Sequence, residues 1–375
     1  MPTPKEKVVL AMSGGVDSSV AAALLLRQGY DVIGVFMRLG SPDGVESSEP
    51  SETCNPTTPK HKQGCCSVLD ASDARTVANR LGIPFYVLNF QDDFSRVIDY
   101  FVSEYNAGRT PNPCVRCNDW LKFGKLARYA QAVGARYVAS GHYARIGLDP
   151  ITGEKSLLRG IDHKKDQSYV LFGMSREVLD HTLLPIGGFE KPAVRAIAEE
   201  LALPVFNKPD SQEICFVPNQ DYAALVQRRS PQTFRTGQFV TSAGEVIGKH
   251  EGHQHFTIGQ RKGLGVALGY PIYVVDIDPT SNQVTLGNKS QLERIGLIAR
   301  GINITSSRLR DAGEMSCLAR IRYNHQPQPA RVTLLSDDSF ELRFDVPQPA
   351  ITPGQAAVLY DQDVLLGGGW IEKAI

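Results

Sequence analysis

The chain has 375 residues, a length that fits two or three domains with real hydrophobic cores. Apolar residues make up 42% and charged residues 21%, which excludes a globally disordered chain. Lys and Arg number 40, as do Asp and Glu, so a uniformly basic nucleic-acid coat protein and an acidic tail protein are excluded, whereas a local basic face is not. The longest aliphatic run, residues 20–26, is far short of the ~20 residues that span a bilayer. The N-terminal apolar stretch runs straight into a glycine turn, which is no secretory signal, and the chain reads as cytoplasmic with no membrane partner. Seven cysteines spread over three regions are expected to be reactive or metal-binding, not structural disulfides.

Residues 7–12 (KVVLAM) form a short apolar run that predicts a buried strand. A Ser-Gly-Gly turn leads into an Ala/Leu-rich helix over 18–28, stopped by Gly29, and 31–37 predicts a second strand. Residues 41–64 are rich in Ser, Glu, Pro and Thr and read as a surface loop. Helix signals at 68–81, 92–106, 119–133 and 192–201 alternate with strand signals at 85–89 and 137–140. That alternation predicts an α/β domain with a parallel sheet over 1–220. Residues 221–290 mix both textures and read as a small central domain. Short β runs at 317–321, 332–335, 340–344 and 357–360, punctuated by turn residues, predict a C-terminal antiparallel β-barrel over 291–375.

Ala11 to Ser19 (AMSGGVDSS) lies between the first strand and the first helix. Glycines there let successive N–H groups converge on an anion, and the helix N-terminus and the hydroxyls of Ser18 and Ser19 add to the attraction. No Lys follows the second Gly, so this is not a Walker A loop. The string resembles the PP-loop of ATP pyrophosphatases, which split ATP into AMP and pyrophosphate and activate a substrate by adenylation.

Cys114 and Cys117 form a C-x-x-C stiffened by Pro111 and Pro113, with a helix behind it. A helix N-terminus and Arg116 are expected to favour thiolate there. Cys215 lies almost a hundred residues on, in PDSQEICF. Two thiols beside an ATP loop suggest sulfur chemistry, in which one Cys carries a persulfide and another attacks it.

SGGVDSS, GRTPNPCVRCN, SGHYAR, KKDQSYVL, PDSQEICF, TIGQRKGLG and ITPGQAAVLY fall in order along the chain. Together they resemble the tRNA-specific 2-thiouridylase family. The resemblance implies ATP-dependent adenylation of the C2 oxygen of the wobble uridine of tRNAs for Lys, Glu and Gln, followed by sulfur transfer. It implies ATP binding by Ala11, Met12, Ser13, Gly14, Gly15, Val16, Asp17, Ser18, Met37 and Gly141. Cys215 would carry the persulfide and Cys117 would be the second nucleophile; Asn112, Pro113 and Cys114 would face the target base. His142, Lys165, Asp166, Gln167, Arg322, Tyr323 and Gln355 match tRNA-contacting positions. The implied sulfur donor is a cysteine desulfurase or a relay protein, and the implied tRNA partner is engaged at its anticodon stem-loop. From chemistry, Asp17 is expected to help hold a Mg²⁺. Many family members carry Asp where this chain has Cys114, so the general base is left open. The alternatives are a [4Fe–4S] cluster on Cys114, Cys117 and Cys215, and a PP-loop ligase acting on a small molecule.

Three segments are locally basic. Residues 105–136, 225–270 and 300–331 each hold six Lys or Arg, against one, two and two acids respectively. They are expected to mark a tRNA path whose binding weakens with salt. His250, His253 and His255 read as part of a surface near RNA.

Overall fold

The computed structural model describes residues 5–40, 68–210, 214–217 and 221–375. The surface-loop expectation at 41–64 lies outside these residues, as do Cys54, Cys65 and Cys66.

Strand β1 (Lys7–Ala11) is buried on both faces. Val8 and Leu10 point into one core while Val9 and Ala11 point into another, the alternation of a strand between two helical layers. Helix α1 (Val16–Arg27) is apolar almost all round because it packs on the sheet between two other helices. There follow β2 (Asp31–Arg38), α2 (Val68–Leu81), β3 (Phe85–Asn89), α3 (Gln91–Asn106), α4 (Pro113–Arg116), α5 (Leu126–Ala132) and β4 (Tyr137–Ser140). A hairpin of β5 (Ala144–Leu148) and β6 (Lys155–Arg159) precedes α6 (Arg176–Asp180), β7 (Thr182–Leu183) and α7 (Lys191–Glu200). The first sheet is parallel throughout, in the order β3-β2-β1-β4-β7. Strand order reverses at β1, so a crevice opens beyond the carboxyl ends of β1 and β4.

The single helix expected over 119–133 is two pieces. Residues Cys117–Lys125 wind as a π-helix before α5 begins, and the Leu126 amide donates five residues back to Leu121 O. Gly124 suits the wider coil, since a Cβ there would lie 2.7 Å from Asp119 O.

Helix α8 (Tyr222–Arg229) leads to a four-stranded sheet of β8 (Gly237–Thr241), β9 (Val246–His250), β10 (Tyr273–Asp278) and β11 (Gln283–Gly287) with its own small core. The histidine reading is corrected here. His250 packs on Phe239 and Phe256, and His253 bonds to Asn282 Oδ1 and to Asn106 O, so both are buried structural residues.

The C-terminal strands are β12 (Glu293–Ile304), β13 (Glu314–Arg320), β14 (Gln328–Ser336), β15 (Ser339–Pro349), β16 (Ala356–Asp361) and β17 (Val364–Ala374), with α9 (Ser307–Ala312) after β12. Their order is β12-β15-β14-β13-β16-β17, and a β12–β17 pairing closes an antiparallel barrel of six strands. The α/β class with a parallel sheet, a small central unit and a C-terminal barrel is therefore as expected. The hairpin β5–β6 is not anticipated by the sequence patterns. It extends β17 through Val364 and Leu158, so an early stretch of chain joins the last sheet. On the same side, Ala356, Val358, Tyr360 and Leu365 share a core with Val9, Phe94 and Leu171. Barrel and parallel-sheet unit are thus fused by a common apolar interior.

Candidate active site

The glycine-rich loop occupies the crevice at the end of β1. Gly14 has φ +74°, and a Cβ there would lie 2.2 Å from Asp70 O at the start of α2. Only glycine satisfies both the left-handed backbone and that approach. Gly15 caps α1, whose first N–H groups have no partner within the helix. Ser18 Oγ accepts the Ser13 amide at 3.2 Å, which folds the loop over the helix start. Gly141, just after β4, also has no room for a side chain: a Cβ would meet the Ser18 amide nitrogen at 2.7 Å. Ala11, Met12, Val16 and Ser18 are buried as the frame of this loop. Met37 is half-buried near the end of β2.

Asp17, in the first turn of α1, faces a cluster that sequence reasoning missed. Tyr143 OH donates to Asp17 Oδ1 at 2.8 Å, and Lys191 Nζ donates to both Asp17 oxygens at 2.7 and 2.9 Å. Burial and the Asp17 carboxylate raise the Tyr143 phenol far above its ordinary value, so it stays a donor. Lys208 Nζ bonds to Gly14 O at 2.9 Å and to Asp70 and Asp73, tying the loop to α2. The Lys191 ammonium takes both carboxylate oxygens, and no group of three or more His, Cys, Asp or Glu among the described residues is arranged to hold a metal.

Lys191 Nζ also lies 2.8 Å from Asp210 Oδ1, and Lys165 Nζ donates to Asp210 Oδ2 at 2.8 Å. Burial alone would raise the Asp210 carboxyl, but bonds from Lys165 and Lys191 outweigh it and pull the value down to about 2. Tyr323 acts electrostatically on Lys165, and its phenol, raised by burial, is hydrogen-bonded by Gln167 and raised further by Cys114. The Tyr143 amide donates to Gln167 Oε1 at 2.9 Å while its phenol bonds Asp17, so the expected residues Asp17, Lys165 and Gln167 share one bonded neighbourhood.

The thiol segment is assembled from distant parts. Asn112 caps α4 through its Oδ1, which accepts the Val115 amide at 3.4 Å, and Pro113 starts the helix. Asn112 and Pro113 are buried, while Cys114 is exposed. Gln355 Nε2 donates to Thr110 O at 3.0 Å and to Pro111 O at 3.1 Å. The Thr110 amide donates to Pro353 O at 2.9 Å. Gly354, with φ +89°, lets the barrel loop approach to where a Cβ would touch Thr110 O at 2.9 Å. The barrel string ITPGQ therefore grips the segment that presents Cys114.

Arg116, expected beside the thiols, instead lays its guanidinium over Trp370, Tyr100 and Trp120 at 4.1, 5.1 and 5.3 Å from the ring centroids. This box joins α3, α4, the π-helix and β17. Cys117 and Cys215 are half-buried and flank the main core. Phe216, next to Cys215, packs edge-on against Phe94 and Phe101 of α3, the helix that also supplies Tyr100. The exposed Cys114 and the core-facing Cys117 and Cys215 make no three-thiol metal group, so the [4Fe–4S] alternative has no support in the geometry. Burial pushes the remaining described thiol, Cys317, up to about 12, as in an inert core cysteine.

Two expected tRNA contacts are spent inside the protein. Asp166 is 1% exposed and bonds to Arg320, Ser168 and the Gly160 amide. His142 is buried against Ser140 and Lys122, and burial holds its pKa well below the ordinary value, so it is a neutral ring. Both side chains thereby brace the loops around them. Arg322 is half-buried and donates to Pro349 O at 3.3 Å.

Comparison with known proteins assigns the class first. Residues 6–219 match the family model described as tRNA methyl transferase HUP domain, 224–288 the tRNA methyl transferase PRC-barrel domain, and 294–371 the aminomethyltransferase beta-barrel domain. A parallel-sheet nucleotide domain followed by two β units of a tRNA-modifying type is the architecture described above. Two curated relatives, both named tRNA-specific 2-thiouridylase MnmA, match end to end. The one from Rhodopirellula baltica is 49% identical over 98% of this chain and 97% of its own length, and the one from Clostridioides difficile is 47% identical over 99% of each. Among solved structures, a 4-thiouridine synthetase in complex with RNA and ATP matches distantly, at 16% identity over 60% of this chain and 51% of that one with a TM-score of 0.34. The chain belongs to the tRNA-specific 2-thiouridylase MnmA family.

Proposed function

We propose that this protein is a tRNA-uridine 2-sulfurtransferase of the cytoplasm, working through domains at 1–220, 221–290 and 291–375. Among the described residues no helix is long and apolar enough to cross a membrane. ATP binds at the Ala11–Ser18 loop, with Met37 and Gly141 lining its pocket. The C2 oxygen of the wobble uridine attacks the α-phosphorus, and pyrophosphate leaves toward the N–H groups of the loop. AMP is a good leaving group where the carbonyl oxygen was not. The terminal sulfur of a Cys215 persulfide then attacks C2, and AMP departs. Cys117 thiolate attacks the Cys215 sulfur, which forms a Cys117–Cys215 disulfide and leaves the base as 2-thiouridine. A thiol reductant from outside the chain restores both cysteines, and a cysteine desulfurase or relay protein reloads Cys215.

Lys191 supplies positive charge beside the loop, and a Mg²⁺ entering with ATP would offset further phosphate charge. The target base lies against Cys114, with Asn112 and Pro113 holding that thiol in place. Lys165, Gln167, Arg322 and Tyr323 meet the anticodon stem-loop of tRNAs for Lys, Glu and Gln. Gln355 holds the Cys114 segment against the barrel. The family-model descriptions speak of methyl transfer, whereas the end-to-end relatives are named for thiolation and the cysteines suit sulfur.

The observation that carries this reading is the bonded neighbourhood from Asp17 through Lys191 and Asp210 to Lys165, and through Tyr143 to Gln167. It joins an ATP loop to the expected tRNA contacts Lys165 and Gln167. The test is a reconstituted reaction with unmodified tRNA, ATP and a cysteine desulfurase with cysteine. AMP and pyrophosphate are expected to form only with tRNA present and to match the yield of 2-thiouridine. ATP cleavage independent of tRNA, with no thiolated nucleoside, would overturn it.

A further inference from the structure

Asp210 stands between two lysines, Lys191 beside the glycine-rich loop and Lys165 away from it. Lys191 shares its ammonium between both Asp17 oxygens, at 2.7 and 2.9 Å, and Asp210 Oδ1, at 2.8 Å. Lys165 reaches Asp210 Oδ2 at 2.8 Å, and Arg195 reaches Asp210 Oδ1 at 2.9 Å. The backbone ties the same lysines a second time. The Lys191 amide donates to Asp162 Oδ2 at 3.0 Å, and Asp162 Oδ1 accepts the amides of Lys164 and Lys165 at 3.1 and 3.2 Å. Lys191 is 8% exposed, so its ammonium has few other partners to choose from. Asp17, Lys191, Asp210 and Lys165 therefore alternate in sign along a single path.

We propose that Asp210 is a positioning residue that couples the phosphate site to tRNA binding, so that departure of pyrophosphate tightens the grip on the activated tRNA. The inference rests on the reading of the loop as the phosphate site and of Lys165 as a tRNA contact. A polyphosphate at the loop draws Lys191 toward itself and off Asp210. Asp210, with one cation fewer, holds Lys165 more firmly and withholds it from an RNA phosphate. When pyrophosphate leaves, Lys191 returns to Asp210 and Lys165 is released to the RNA. The adenylated base is then held hardest while it waits for sulfur. By linkage, pyrophosphate and tRNA each weaken the other by the same factor.

The experiment measures the affinity of unmodified tRNA at constant ionic strength, with and without saturating pyrophosphate. It uses the full-length wild type and the variants Asp210→Asn, Asp210→Glu and Arg195→Gln. Pyrophosphate binding is measured separately by calorimetry, and folding is checked by thermal unfolding. In the wild type, pyrophosphate is expected to weaken tRNA binding by roughly fivefold or more. D210N is expected to bind both ligands yet lose this response, because the negative link between the lysines is gone. D210E keeps the charge and retains part of the response. R195Q removes another cation from Asp210 Oδ1, so it is expected to weaken tRNA binding without pyrophosphate and to retain part of the response. Simple anion competition for the RNA would persist in D210N, so persistence there overturns the proposal. It is also overturned if wild-type tRNA affinity ignores bound pyrophosphate. Failure of the wild type to bind pyrophosphate at all contradicts the underlying reading of the loop, a result distinguishable from the other two.

Discussion

The nucleotide loop and the thiol segment are held in place by opposite means. The loop is shaped largely by its own backbone: a left-handed Gly14, a helix start at Gly15 and Ser18 folded back onto Ser13. The thiol segment is four helical residues and a π-turn whose position is dictated from outside, by Gln355 and Pro353 of the barrel loop and by Trp370 of β17. One is a local motif at the carboxyl end of the central strand β1; the other is bonded to the barrel loop and stacked on β17. Variants are therefore expected to separate the ATP step from the sulfur step according to which region they touch.

Gly14→Ala gives the largest effect. The new Cβ meets Asp70 O and must adopt positive φ, at a cost of roughly 2–4 kcal/mol. Calorimetry is expected to find ATP binding lost, while the rate at which a thiol reagent labels Cys114 stays as in the wild type. A matched fall in both would mean that the two regions are not independent.

Arg116→Ala empties the aromatic box and is expected to lower stability by about 2 kcal/mol in chemical denaturation. ATP affinity should hold while thiolation falls. Arg116→Lys keeps the charge but not the flat stack, and it is expected to recover only part of the loss.

Gln355→Ala removes two hydrogen bonds to the segment before Asn112, about 1–2 kcal/mol of docking. Thiolation is expected to fall by about tenfold with ATP affinity unchanged, since loss of positioning acts on the sulfur step. A loss of ATP affinity of the same size would break the comparison.

The smallest effect is confined to a pH window. Burial raises the Asp119 carboxyl, two residues beyond Cys117, to about 7, against a smaller pull downward from Arg116. A carboxyl raised on folding favours the folded state while protonated. That contribution is complete below about pH 4 and is lost as pH rises through about 7. Asp119→Asn is thus expected to be more stable than the wild type at pH 8, by roughly 1–2 kcal/mol, with the difference shrinking steadily and vanishing only near pH 4. Thermal unfolding across that range checks it, and a pH-independent difference would contradict it.

What was legible in the sequence follows the same division. The loop, its strand and its helix are contiguous, so glycine positions and apolar runs reveal them. Four strands of the parallel sheet were legible because each holds a short, mostly apolar run between helices, as in β1, whereas the two-residue β7 was not. The ion-pair path was not legible, because Lys191 reads as an ordinary helix start and Asp210 as a turn residue until the fold sets them 2.8 Å apart. Burial of Asp166, His142, His250 and His253 was equally hidden, since polar residues with partners far along the chain look like surface residues. The hairpin β5–β6 was missed because its pairing to β17 is remote in sequence. The family strings supplied what periodicity did not: GRTPNPCVRCN and ITPGQ are some 240 residues apart, yet Gln355 bonds to Thr110 and Pro111.

The central claim is that the ATP loop and two cysteines act on one uridine. Mass spectrometry of tRNA nucleosides tests it most directly, in a strain lacking the gene and complemented with the wild type, Cys117→Ser, Cys215→Ser or Gly14→Ala. The account predicts 2-thiouridine restored by the wild type and absent with each of the three variants. Wild-type levels of 2-thiouridine from C215S, or unchanged levels in the strain without the gene, would contradict it.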